Sequence, residues 1–167
     1  MIWVRLRCAL QLPPRDRWKK TAFAVAVGAT AVAVSAQLSG LVEWQPEPAN
    51  LAMARMALVL FVAPALLEEV LFRGVLHPAY EAYEDSVRFP KMLLAAALFV
   101  LWHPLQYWTG LGPPWSVVFV SPAFLVTVTV AALALGIVRE FSGSIWPAVA
   151  FHWAMICAWK FSFGGPF

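Results

Sequence analysis

The chain has 167 residues, of which 62% are hydrophobic, only 13% are charged and nine are tryptophan. A soluble domain of this length would carry more charge, so the composition predicts an integral membrane protein and excludes an ordinary soluble class. The formal net charge is +3. Because the basic residues concentrate in the first twenty positions, beside an apolar segment, we interpret this charge as a topology signal and expect no nucleic-acid partner.

Apolar segments follow one another along the chain, separated by short polar breaks or by breaks that contain Pro and Gly. Each reaches or approaches the ~20 residues that a helix needs to cross ~30 Å of hydrocarbon. Irregular backbone is not tolerated against lipid, so we predict an all-α, polytopic transmembrane helical bundle. It has about five membrane helices in a single membrane domain (residues 20–167), after a basic tail (residues 1–19). The five segments are 20–42, 51–77, 91–108, 117–138 and 144–163.

The positive residues predict the orientation of the bundle. Six basic side chains precede the first segment, whereas the loop that follows it carries Glu43 and Glu47 and no base. By the positive-inside rule the N-terminus lies in the cytoplasm. Alternation then places Arg88 and Lys91 in a second cytoplasmic loop and Arg139 in a third. The six leading basic residues are Arg5, Arg7, Arg15, Arg17, Lys19 and Lys20.

The small residues from Val34 to Gln37 offer a site at which the first segment could be cleaved as a signal peptide, but its long apolar run favours a retained helix.

Near the predicted outer end of the third segment, Trp102 lies in a cluster of aromatic residues that we interpret as an interfacial belt for anchoring and packing. The cluster also contains Tyr107, Trp108 and Trp115.

Only five ionisable side chains lie deep within the apolar segments. An ionisable group at membrane depth is costly unless it is paired or hydrated, so each of these is a candidate functional residue. Their depths, counted at ~1.5 Å per residue along each helix, place the acidic residues and the histidines in a common layer. An alternative is a charged triplet at a helix end that the cytoplasmic loop solvates. The five residues are Glu68, Glu69 and Arg73 in the second segment, His103 in the third and His152 in the fifth.

The spacing of the two glutamates assigns them different roles. Glu69 and Arg73 are four residues apart and share a helix face, so they can form an ion pair. Glu68 is rotated by about 100° from Glu69 and has no such partner in its own segment. The pattern therefore predicts one neutralised carboxylate and one free carboxylate, and a free buried carboxylate is suited to general acid–base catalysis.

A proline accompanies each candidate position. Pro64 precedes Glu68 by four residues, Pro104 follows His103 directly, and Pro147 precedes His152 by five. A proline inside a helix frees a backbone carbonyl and weakens the local hydrogen bonding. We therefore predict local helix breaks there that can admit water or a substrate strand.

Three sequence motifs occur in order on these segments. "EEVLFR" (68–73) matches E-E-x-x-x-R, "FVLWH" (99–103) matches F-x-x-x-H, and His152 begins a third motif that would read H-x-x-x-N/D. In these motifs the chain resembles the CPBP family, the CAAX-processing type 2 and bacteriocin-processing-related intramembrane endopeptidases. The resemblance covers about residues 64–157. It implies a glutamate-dependent intramembrane protease of a bacterial inner membrane.

The resemblance also implies a role for each candidate residue. Glu68, assisted by His103, would activate a water for attack on a peptide carbonyl, while Glu69 and Arg73 hold the shape and charge of the site. His152 would help to stabilise the oxyanion. No cofactor is expected, although zinc is left open. The expected partners are the lipid bilayer and a membrane-anchored or lipidated protein, which would be cleaved near its C-terminal region.

One departure from the family pattern keeps other functions open. Ile156 occupies the position of the expected Asn or Asp and cannot donate a hydrogen bond. The missing donor favours a non-catalytic binding or immunity-type scaffold of the same fold. A zinc-dependent membrane protease is a second alternative, because two histidines and a glutamate can bind zinc. A proton-coupled transport element is a third.

Overall fold

The computed structural model describes residues 2–77 and 85–166, which are helical apart from short connections and one isolated bridge between Gln45 and Phe163. This confirms the all-α prediction. Short 3₁₀ turns precede the second and fifth helices, at Arg15–Arg17 and Ser116–Val120. The helices are α1 (Ile2–Ala9), α2 (Trp18–Leu38), α3 (Leu51–Leu76), α4 (Asp85–Thr109), α5 (Pro122–Ser142) and α6 (Trp146–Ser162).

Within the described residues, three helical stretches are long and apolar enough to cross a membrane. They are Arg15–Leu38, which contains α2, together with α3 and α5. Leucine and valine side chains on the outside of α2 and α3, such as Leu38 and Leu58, are exposed, as expected for surfaces that face lipid. The predicted membrane bundle is therefore confirmed, while membrane crossing by α4 and α6 stays a prediction.

Local sequence signals explain where two of these helices begin. Asn50 caps α3 by accepting a hydrogen bond from the Met53 N–H (3.0 Å), and Ser121 caps α5 by accepting one from the Phe124 N–H (3.3 Å). Gly143 ends α5 with a left-handed φ of 70°, a conformation that glycine adopts without strain. These signals mark the beginning of α3 and both ends of α5, and α5 contributes more residues to the main buried core than any other described helix.

The helices pack closely around a core of phenylalanine, alanine and leucine side chains. The most extensive contact is between α2 and α5. A Cβ atom at Gly28 of α2 would lie 3.0 Å from the Ala134 Cβ of α5 and 3.2 Å from the Phe151 ring of α6. Because both separations are tighter than ordinary van der Waals contact, glycine permits α2 to approach the other two helices.

Helix α3 is irregular where it carries the acidic motif. Ala63 is non-helical (φ −132°, ψ 115°) directly before Pro64, and π-helical turns at Phe61–Leu66 and Val70–Leu76 flank Leu67–Glu69. The break predicted at Pro64 is confirmed. Such irregular turns are frequent at functional sites.

The other two prolines do not break their helices. Helix α4 continues through Pro104 to Thr109. Pro147 lies in the first turn of α6. A backbone N–H in the first turn has no hydrogen-bond partner within the helix, so a proline, which lacks this N–H, fits there. The predictions of breaks beside His103 and His152 are therefore wrong.

The basic residues lie differently from the predicted loops. Arg88 and Lys91 lie on α4, which begins earlier than predicted, and residues 78–84 lie outside the described part of the chain. Arg139 lies in the last turn of α5, where it is buried and donates from Nε to the Arg73 carbonyl (3.1 Å). The prediction that Arg139 lies in a cytoplasmic loop is therefore wrong, because α5 extends to Ser142. The hydrogen bond from Arg139 connects α5 to α3.

The first residues also contact the bundle. Helix α1 packs on the end of α3, and the Ala9 carbonyl, on a fully buried residue, accepts a hydrogen bond from the Ile145 N–H (2.9 Å). The Leu10 carbonyl accepts another from the Trp146 indole N–H (2.8 Å). The N-terminal residues thus hold the beginning of α6 against α3.

Candidate active site

Glu69 and Arg73 form a buried ion pair on α3. Arg73 Nη1 lies 3.0 Å from Glu69 Oε1, and the two side chains are 1% and 0% exposed. The guanidinium also donates from Nη2 to the Ala132 carbonyl (3.2 Å) and lies 4.2 Å from the centroid of the Phe99 ring. The ion pair predicted from the four-residue spacing is therefore confirmed. It neutralises Glu69 in a region where an unpaired charge would be strongly unfavourable.

His152 connects this pair to the second glutamate. Its Nδ1–H donates to Glu69 Oε1 across 3.1 Å, since a carboxylate oxygen can only accept. The other ring nitrogen, Nε2, lies 3.9 Å from Glu68 Oε2. The hydrogen bond to Glu69 fixes the orientation of the ring, which places Nε2 toward Glu68.

Glu68 is held by a residue that we predicted to have only an anchoring role. Its Oε1 accepts a hydrogen bond from the Trp102 indole N–H (3.0 Å), so Trp102 contacts a candidate site residue directly. The signal in the sequence was its position directly before His103. The second oxygen, Glu68 Oε2, is buried and has no hydrogen-bond partner within the described protein. Glu68 thus has one oxygen held by a hydrogen bond and one buried oxygen without such a bond, and among the described residues Glu69 Oε2 is likewise buried without a hydrogen-bond partner.

His103 is fixed in a pocket of aromatic rings. Its Nδ1–H donates to the Phe99 carbonyl (2.9 Å), and its ring packs against Phe99, Phe119 and Phe124 with centroids 4.9, 5.2 and 5.2 Å away. The Phe99 ring also packs 5.6 Å from the His152 ring. Phe99 therefore touches both histidines as well as Arg73. Among the described contacts none joins His103 directly to Glu68.

The site opens into a cavity of about 1160 Å³ between the helices, which is open to the outside along α2. Glu68, His103 and His152 line it together, so the three helices that were predicted to contribute polar groups at one depth do converge there. Its walls are mainly apolar and include much of one side of α2. Ile156 and Gln106 also line the cavity. The cavity is large enough to hold a segment of substrate beside Glu68.

A second polar cluster lies where α3 ends, and the sequence analysis did not identify it. His77 is 2% exposed and donates from Nε2 to Glu140 Oε1 (2.6 Å), and Glu140 Oε2 lies 3.0 Å from Arg88 Nε. Burial lowers the pKa of His77, although the hydrogen bond to Glu140 acts in the opposite direction. These contacts connect α3, α4 and α5 at one end of the bundle. We assign them a structural role.

A metal site would require several ligating side chains close together. Within residues 2–77 and 85–166, no group of three or more His, Cys, Asp and Glu side chains has the arrangement of a metal site. Glu69 Oε1 already contacts both Arg73 and His152. The arrangement suits proton transfer: a carboxylate oxygen and two oriented imidazoles lie beside a cavity.

Comparison with known proteins identifies the family. Residues 48–157 match the family described as type II CAAX prenyl endopeptidase Rce1-like. The match covers more than half of the chain, which therefore belongs to this family of CAAX-type intramembrane proteases and is an integral membrane protein. No curated protein and no solved structure matches the chain. The matched residues contain all five candidate positions, whereas α1, α2 and the end of α6 lie outside them.

Proposed function

We propose that this family member is a glutamate-dependent intramembrane endopeptidase, oriented with its N-terminus in the cytoplasm of a bacterial cell. Its substrate is a membrane-anchored, lipidated protein that is cleaved near its C-terminal end. The observation that carries the proposal is Glu68 Oε2, a buried carboxylate oxygen that accepts no hydrogen bond from the residues that the structure describes and belongs to a side chain lining the cavity. A buried acceptor of this kind requires a ligand, and a water molecule is the simplest one.

The proposed reaction needs no nucleophilic side chain. Glu68 takes a proton from water as the water oxygen forms a bond to the substrate carbonyl carbon, which gives a tetrahedral oxyanion. When the oxyanion collapses, the C–N bond breaks and the proton on Glu68 passes to the leaving amine. One carboxyl group thus acts first as general base and then as general acid.

The two histidines would complete this arrangement from two other helices, α4 and α6. A water molecule can bridge the 3.9 Å between Glu68 Oε2 and His152 Nε2. His152 Nε2 would then lie beside the oxyanion and help to stabilise it by a hydrogen bond. The Nδ1–H of His103 already donates to the Phe99 carbonyl, so Nε2 is the ring nitrogen that would contact the attacking water. Glu69 and Arg73 orient His152 and take no part in proton transfer.

Gln106 is our candidate for the donor that Ile156 cannot supply. Both side chains line the cavity, and Gln106 lies three residues beyond His103 on α4, which places it almost one turn further along a similar face. Its amide carries two donor hydrogens. We therefore assign Gln106 as a second donor to the oxyanion, in place of the family's Asn or Asp.

The apolar walls support a lipidated substrate. Small and branched side chains of α2, among them Ala22, Val25 and Ala29, line the cavity along most of the helix. A prenyl chain placed against this surface would bury apolar area that is otherwise open to water or lipid. Its protein portion would then lie across the cavity near Glu68.

Co-expression with candidate substrates tests the proposed function. A lipidated or C-terminally anchored protein is expected to lose mass with the wild type and to keep its full mass with Glu68→Gln. Glu43→Gln is the matched control, because Glu43 is an exposed carboxylate outside the cavity. A mass shift that persists with Glu68→Gln would contradict the proposal.

One observation favours a second candidate, a non-catalytic binding scaffold. Ile156 leaves the family's third motif without its polar residue, although it still lines the cavity. A scaffold would bind the lipidated protein and leave its mass unchanged with either the wild type or Glu68→Gln. Isolation of an uncleaved complex with the wild type would therefore favour this candidate over the protease.

A further inference from the structure

One face of the N-terminal helix α1 is packed on the bundle. Ala9 is fully buried, and Leu6 lies so close to α3 that a Cβ atom added at Gly74 would be 3.1 Å from its Cδ1. The Ala9 carbonyl also accepts a hydrogen bond from the Ile145 N–H (2.9 Å). These contacts fix the orientation of α1 against the bundle, so its opposite face is turned outward.

The outward face of α1 carries a cation between two apolar side chains. Trp3, Arg7 and Leu10 are spaced by four and three residues and so share one side of the helix. The Leu10 N–H still donates to the Leu6 carbonyl (3.0 Å), which extends the helical turn to this residue. Trp3 is 77% exposed, Leu10 is 40% exposed, and Arg7 is exposed between them. Leu12, 73% exposed, continues the apolar surface after the helix.

This pattern places α1 at the boundary between hydrocarbon and water. Exposed tryptophan and leucine side chains are unfavourable in water, whereas an arginine between them is costly in hydrocarbon. A helix that presents both kinds of side chain together is typical of the membrane interface. The membrane-spanning stretch that contains α2 begins at Arg15, five residues after Leu10, which puts α1 beside the membrane surface.

The charge of this region indicates which lipids it contacts. Residues 1–20 contain six basic side chains and a single acidic one, Asp16. Four of the cations are exposed, and none of these four forms an ion pair with an acidic side chain in the described part of the chain. Their charge is therefore available at the membrane surface, where an anionic phospholipid headgroup is the complementary partner. The four are Arg7, Arg15, Lys19 and Lys20.

We propose that α1 docks on the membrane leaflet at the beginning of α2 by binding anionic phospholipids, with their phosphates on the cations and their acyl chains against the tryptophan and leucines. Because α1 also holds the beginning of α6 against α3, bound lipid would stabilise the fold. The inference does not depend on peptide cleavage, and the surface lies outside the family match. This docking surface consists of Trp3, Arg7, Leu10, Leu12, Arg15, Lys19 and Lys20.

Lipid binding to the purified full chain tests the docking surface. The protein in a neutral detergent is titrated with phosphatidylglycerol or with phosphatidylcholine of the same acyl chains, and native mass spectrometry counts the bound lipids. We expect phosphatidylglycerol to bind more tightly by about tenfold or more at low salt, and this difference to shrink at high salt. Phosphatidylglycerol should also raise the unfolding temperature more than phosphatidylcholine does.

Single substitutions identify the cations responsible. Arg7→Gln and Arg15→Gln are each expected to lower the affinity for phosphatidylglycerol about fivefold, the effect of one cation near an anionic surface, without changing phosphatidylcholine binding. Lys19 and Lys20 are kept, because basic residues before α2 direct its insertion. Arg55→Gln is the matched control: it neutralises an exposed cation of α3 outside the docking surface and should bind both lipids as the wild type does. Thermal unfolding verifies that each variant is folded.

Equal affinity of the wild type for the two lipids would overturn the proposal. So would an affinity for phosphatidylglycerol that is unchanged in both Arg7→Gln and Arg15→Gln, or one that falls equally in Arg55→Gln. The apolar part is tested with Trp3→Ser, which should weaken the binding of both lipids. A dimer in the native spectra that Trp3→Ser dissociates would instead assign the surface to a second copy of the chain and would also overturn the proposal.

Discussion

His152 donates its Nδ1–H to Glu69 Oε1 across 3.1 Å, so the histidine of the last helix is oriented by a glutamate of α3 that also pairs with Arg73. The adjacent Glu68 takes no part in this pairing. Its Oε2 lies 3.9 Å from the other nitrogen of the same imidazole. The two neighbouring carboxylates therefore differ in their contacts: Glu69 holds Arg73 and His152, whereas Glu68 accepts a hydrogen bond from Trp102.

Arg73→Ala is expected to lower the free energy of unfolding by about 3–5 kcal/mol, the usual cost of removing one partner from a buried ion pair. The loss arises because Glu69, which is fully buried, would have no cationic partner on its own helix. Thermal unfolding in detergent measures it. Arg55→Ala removes an exposed arginine of the same helix and should leave the unfolding temperature nearly unchanged. Equal unfolding temperatures for Arg73→Ala and the wild type would show that the pair does not stabilise the fold.

Trp102→Phe is expected to lower the kcat for peptide cleavage by about tenfold, because it removes the N–H that orients Glu68 Oε1 and keeps most of the aromatic packing. The comparison is with Trp108→Phe, since Trp108 lies on the same helix but is 69% exposed. Cleavage kinetics and thermal unfolding are measured on both variants. Unchanged kcat in Trp102→Phe would mean that the indole does not position Glu68.

The sequence predicted those parts of the site that depend on distances counted along the helix axes. The pairing of Glu69 with Arg73 follows from four residues of separation, and the structure has that pair. The meeting of Glu68 with His152 was predicted from their depths in two helices, and the contact lies at 3.9 Å. Each residue adds ~1.5 Å along the axis of its helix, so the depth of a side chain can be estimated by counting residues from the helix end.

Contacts that depend on the rotation of one helix against another could not be predicted in this way. Trp102 looked like an interfacial aromatic residue, and only the packing of α4 against α3 brings its N–H to Glu68. The burial of Arg139 has the same origin, because its partner is a backbone carbonyl of another helix. Pro147 was misjudged for a different reason: a proline breaks a helix only inside it, and α6 begins at Trp146.

Gln106→Leu is expected to lower kcat by about 10²–10³, the cost of one oxyanion donor, with little change in KM. Gln37→Leu is the matched control, because Gln37 also lines the cavity but lies on α2. In the Gln106→Leu background, Ile156→Asn should restore part of the rate by returning a donor to the family's usual position. Wild-type kcat in Gln106→Leu would remove Gln106 from the mechanism.

Exhaustive chelation is expected to leave cleavage unchanged, since the proposed mechanism uses a carboxylate and two imidazoles without a metal ion. The purified protein is treated with a zinc chelator, the bound metal content is determined, and peptide cleavage is measured before and after. Loss of activity on chelation, with recovery when zinc is added back, would instead favour the zinc-dependent protease.

The most direct test of the account is the cleavage rate of purified Glu68→Gln on an S-farnesylated peptide with a free C-terminus. Because a general base contributes about 10²–10⁴-fold, we expect a loss of at least two orders of magnitude in kcat and a similar loss in His103→Ala. Both proteins should unfold at nearly the wild-type temperature, and Glu43→Gln should cleave normally. Full activity in folded Glu68→Gln would contradict the central claim that Glu68 activates the water.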